Sequence, residues 1–82
     1  MKLPVIRHLQ RNNEVEKLQH TIDVLETYTE HRSVNEEEMD IIGELITNLC
    51  GAVEVHKMIE EGSTEIDAAN NFAKKVMGSI DR

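Results

Sequence analysis

From Glu36 to Glu61 the chain places apolar residues at helical spacing without interruption: Met39, Ile41, Ile42, Leu45, Ile46, Leu49, Ala52, Val53 and Ile59. Recurrence every three to four positions is the pattern of an α-helix with one buried side. Asn35 supplies a cap, Glu36, Glu37 and Glu38 suit the positive end of the helix dipole, and Gly62 can take the left-handed conformation that stops a helix. The span predicts a helix over 36–61, about 39 Å long at the usual rise per residue. In a chain of 82 residues such an element leaves only shorter pieces to pack around it, so it forms the axis of the fold. Its apolar arc covers about half of the circumference, wider than a single neighbouring helix covers.

The remaining pieces read as three more helices. Pro4, tolerated in a first turn, followed by Val5, Ile6 and Leu9, predicts a short helix over 4–11. Asn13 with Glu16 three residues later predicts a capping box that opens a second helix, 14–31. Val15, Leu18, Ile22, Val24, Leu25 and Tyr28 form its apolar half, opposite Glu16, Gln19, His20, Asp23, Glu26 and Glu30. The stretch "HRSVNEEE" breaks the chain, with Ser33 and Asn35 both suited to capping. After Gly62, Ser63 or Thr64 caps a fourth helix whose face is Ile66, Ala69, Phe72, Ala73, Val76 and Met77 and whose end is Gly78. Neither alternating strand patterns nor internal repeats occur. The expected fold is all-α: a compact three- to four-helix up-down bundle, one domain over 1–82, with helices two and four flanking a long central third.

One Phe, one Tyr and no Trp leave aliphatic and methionine side chains to fill a thin core, which burial against another molecule would extend. Sixteen acidic against nine basic side chains give a formal charge of −7, which disfavours nucleic acid and anionic membrane surfaces as partners. The amino-terminal stretch has no signal-peptide core and apolar runs are too short to cross a bilayer, so the expected location is cytoplasmic. Cys50 is the sole cysteine and forms no internal disulfide; with no cation nearby in sequence it reads as a small hydrophobe.

The stretch "NLCGAVEVHKM" is unusual for a helix interior. His56 falls near the middle of the apolar arc, and is expected to be half-covered and hydrogen-bonded to a carboxylate or carbonyl from a neighbouring element. A glycine inside a helix costs ~1 kcal/mol relative to alanine. Gly51, on the polar side of the wheel, therefore marks either a close helix crossing or a bend, and Gly43, two turns earlier, raises the same question. Two groups of carboxylates, Asp23, Glu26 and Glu30 on helix two and Glu37, Asp40 and Glu44 on helix three, would lie side by side in an antiparallel hairpin, where oxygen ligands can hold a divalent cation. Glu37-x-x-Asp40 resembles part of the acidic signature of the all-α nucleotide pyrophosphohydrolases, which implies metal-dependent hydrolysis as the alternative function. The fuller signature is missing, and few cations stand nearby to receive a triphosphate. Glu-x-x-His pairs, a His-Glu-x-x-His zinc signature and a glycine-rich phosphate loop are all missing too. Ser33 follows Arg32, not the Asp of an acyl-carrier attachment site, and reads as a turn or cap residue.

Three blocks, "MKLPVIRHL", "IIGELITN" with "GAVEVHKM", and "KVMGSID", together resemble a family of short, uncharacterised, all-helical bacterial proteins. The resemblance implies that Gly43, Gly51, His56 and Gly78 belong to family blocks; it brings no activity, cofactor or catalytic residue with it. The leading expectation is a non-enzymatic, cofactor-free module that self-associates as a homodimer and can dock a partner protein. The wide arc of helix three supplies the candidate interface: Leu45, Leu49, Gly51, Val53, His56 and Ile59, to be shared between internal and intermolecular packing.

Overall fold

The structure, a computed structural model, describes the backbone of residues 2–80 and the side chains of residues 2–75. Four helices follow one another: α1 (Leu3–Asn12), α2 (Val15–Thr29), α3 (Glu36–Glu60) and α4 (Glu65–Ile80), with no strand among the described residues. The long third helix is central: α1, α2 and α4 all pack on it, and α1 also touches α4. The bundle is flat, 43 × 32 × 17 Å along its principal axes.

Local chemistry sets the helix ends. Pro4 lies in the first turn of α1. The expected capping box at Asn13 does not form; the Asn13 amide instead donates to the Leu9 carbonyl at 3.1 Å, and Glu14 precedes α2 without a side-chain cap. Helix α2 opens one residue later than that box requires, with Glu14 in the capping position, so Asn13 stands just outside it. At α3 the box is complete: Glu38 N–H donates to Asn35 Oδ1 at 2.9 Å, and Glu38 Oε1 accepts from Asn35 N–H. Gly62 at φ +109° ends α3, letting Ser63 N–H reach the Met58 carbonyl. Thr64 caps α4, accepting from Asp67 N–H. Helix α4 then runs on through Gly78, so that glycine does not end it. The Val76 and Met77 side chains lie outside the described residues.

Three contacts fix the direction of α1. Lys2 N–H donates to Asn48 Oδ1 at 3.0 Å, Ile6 lies against Gly51, and the Asn13 carbonyl meets His56 Nε2. Helix α1 therefore runs parallel to α3 and covers only its second half. Helix α2 returns antiparallel to both, with Val15 near His56 and Glu60 at one end and Tyr28 bonded to Glu38 at the other. Helix α4 descends again, and Phe72 reaches the level of Gly51. The core follows from this register. Ile6, Leu18, Ile22, Leu49, Ala52, Val53, Val55 and Ala68 form one buried cluster from all four helices, and in α3 only Ile42 is buried before Asn48.

Several side chains of the expected apolar faces lie outside this cluster. Val5, Val24, Tyr28 and Ile66 are exposed, while Gln10 and Ala68 are buried. At about 100° per residue, Val24 sits half a turn from Val15, so one neighbouring helix cannot cover both.

Candidate functional site

The six candidate metal ligands, Asp23, Glu26, Glu30, Glu37, Asp40 and Glu44, are all exposed. The hairpin does bring α2 beside α3, yet among the described residues no three His, Cys, Asp or Glu side chains converge where they could share an ion. Glu44 lies 3.9 Å from Lys2 Nζ. These carboxylates form a solvated acidic rim.

The central stretch of α3 is largely occupied by packing within the chain. Leu49, Gly51 and Val53 are buried, His56 and Ile59 are half-buried, and Leu45 is exposed. Gly51 sits at a crossing in an unbroken helix: a methyl group there would stand 2.8 Å from Ile6 Cδ1 and 3.1 Å from Phe72 Cζ. Two helices, α1 and α4, meet it, which explains a glycine where the wheel marked a polar side. Gly43 has nothing within 4 Å of such a methyl and marks no crossing. His56 Nε2 lies 2.8 Å from the Asn13 carbonyl; a carbonyl only accepts, so that nitrogen carries the proton. The imidazole ties the α1–α2 link to the central helix. Cys50 is free and exposed. Partial desolvation first, and the Glu26 carboxylate second, push its thiol above the ordinary range, which disfavours the reactive thiolate.

The feature that sequence reading located only through Leu45 is an open apolar surface beside the first half of α3. Val24 is 68% exposed, Tyr28 51%, Ile41 61% and Leu45 48%. Leu25, Tyr28, Glu38, Ile41 and Ile42 line a shallow groove of about 280 Å³, and Leu25 continues it toward Val24 and Thr21. Its rim is polar and ordered: Tyr28 O–H donates to Glu38 Oε2 at 2.9 Å. That bond, then the Glu38 charge, then slight desolvation raise the phenol pKa, so the hydroxyl stays protonated as a donor. Met39 is also exposed but lies about 200° round α3 from Ile41 and belongs to the opposite side. The signal available in the sequence was the apolar arc of α3 continuing through residues 39–46, where the short first helix cannot follow.

A model of a family of unknown function, DUF6952, matches residues 1–81, and the chain belongs to that family. Neither the curated proteins nor the solved structures contain a match. Among the described residues no helix is long and apolar enough to cross a membrane.

Proposed function

We propose, because family membership assigns no activity, a function drawn from the surface itself: a non-enzymatic helical module, acting in the cytoplasm, that self-associates as a homodimer and works through protein contact. The observation that carries this reading is the open face of Val24, Tyr28, Ile41 and Leu45, all large apolar side chains left in water along one side of the hairpin. Contiguous apolar surface rimmed by polar groups marks association sites. Metal-dependent hydrolysis has less support, since its six candidate carboxylates are exposed and do not converge.

Sedimentation equilibrium at micromolar concentration tests the proposal. The expected result is twice the chain mass for the native protein, and the 9.4 kDa monomer for Leu45→Glu with unchanged far-ultraviolet circular dichroism. A native protein that stays at 9.4 kDa throughout removes self-association.

A further inference from the structure

Charge is spread unevenly around the open groove. Of the residues that line it, Leu25, Tyr28, Ile41 and Ile42 are apolar or aromatic and Glu38 is the charged one. Both Glu38 oxygens accept hydrogen bonds, Oε2 from Tyr28 O–H at 2.9 Å and Oε1 from Asn35 N–H at 3.4 Å, and neither donor carries a charge. Each carboxylate oxygen has two acceptor sites, so the group keeps room for a cation. Glu37 and Glu44 stand four residues before and three residues after Ile41, which puts them beside it on the helix surface. Glu44 lies 3.9 Å from Lys2 Nζ, whereas among the described residues Glu37, Glu38 and Asp40 have no ion pair. On the α2 side, Lys17 and His20 come only beyond Val24, in the next hollow along that helix.

We infer that this groove takes an amphipathic helix of a partner protein, laid along α3 with its apolar face on Ile41, Leu45 and Tyr28 and with lysine or arginine on the edge that meets Glu37 and Glu38. The inference rests on the protein-contact role proposed above and adds the partner's chemistry. The shape calls for a helix. Asn48, where Lys2 and α1 begin, lies three residues after Leu45 and seven after Ile41, on the same flank of α3. A helix lying there continues the packing that α1 supplies from Asn48 onward. The charge calls for a cation on a long apolar stem: the stem covers the aliphatic lining while its head reaches the Glu38 carboxylate beside the Tyr28 ring. A second copy brings the same carboxylates to the same face, so a cationic helix competes favourably with it there.

Calorimetric titration with two synthetic helical peptides tests this: one with a leucine stripe flanked by lysine and arginine, the other with the same stripe flanked by glutamate. The native protein is expected to bind one cationic peptide per chain, less tightly as salt rises, and to leave the acidic peptide unbound. Glu38→Gln keeps acceptors for Tyr28 and Asn35 and suits the capping box, so it removes the charge alone; binding should weaken roughly threefold. Ile41→Ala should weaken it about tenfold. Amide signals of residues 24–28 and 37–45 should shift on binding. Equal binding of both peptides, binding of neither, unchanged binding by either variant, or shifts confined to the flank of Asp23, Glu26 and Glu30 overturns the inference. Sedimentation of the protein alone reads self-association separately. A native dimer that does not bind the cationic peptide keeps self-association and loses this inference, and a native monomer that binds it does the reverse.

Discussion

A methyl group at position 51 would enter space already held by Ile6, a side chain with no exposed surface, and by Phe72. Overpacking a tight contact costs ~1–3 kcal/mol, against a helix-propensity gain of ~1 kcal/mol for replacing glycine by alanine. Gly51→Ala is therefore expected to lower stability by about 1 kcal/mol, and Gly43→Ala, which meets nothing, to raise it by ~0.5–1 kcal/mol. Urea denaturation of the two variants checks both signs, and equal effects would remove the distinction between crossing and open glycine. At Cys50 the raised thiol pKa has a kinetic reading: a thiol reagent should react more slowly at neutral pH than with an unstructured cysteine peptide. Reactivity should climb only as pH rises past the ordinary thiol range, and Glu26→Gln should speed the reaction. Because folding raises this pKa, the same group lowers stability as pH rises through that range, and contributes no such loss below it. Sequence marked both residues as odd without saying what surrounds them. The wheel places Gly51 on a polar side because it sees one helix; the side chains that fill that side, Ile6 and Phe72, lie far away in the chain.

Among the elements, α3 combines the most complete start with the least even burial. Removing its cap with Asn35→Ala should cost about 1 kcal/mol, because the Glu38 amide then loses its acceptor; a thermal melt unchanged from native would show that the box adds nothing. The helices themselves were legible, since 3.6-residue periodicity and capping residues act within a few positions of each other. What was not legible is how far each helix reaches along another. Nothing in "MKLPVIRHLQRN" states that its first turn pairs with Asn48, and that one contact decides which residues of α3 are covered. Leu49, Gly51 and Val53 consequently belong to the interior, while Leu45, from the same apolar arc, remains outside. The capping signal at Asn13 misled because α2 opens one residue later, at Glu14, which leaves Asn13 outside the cap and its amide nitrogen on the Leu9 carbonyl.

At the scale of the whole molecule, a flat bundle with an exposed apolar stripe should gain stability from its own concentration. If the native form is a dimer, mass action raises the melting temperature as protein is added; scans spanning two orders of magnitude in concentration, with Leu45→Glu as the control that does not shift, check this. The acidic character and all-helical class of the chain were open to reading from composition and pattern, but the division into a basic first helix and an acidic hairpin end gains meaning only once the register of α1 is known. That register also divides the molecule dynamically. Amide protons of α3 from Asn48 onward lie beneath three other helices and should resist replacement by deuterium until the protein opens as a whole. Those nearer Glu36 lie beyond the reach of α1 and, among the described residues, have Ile42 as their one buried side chain, so they should exchange early and the boundary between slow and fast amides should fall close to Asn48, where Lys2 docks.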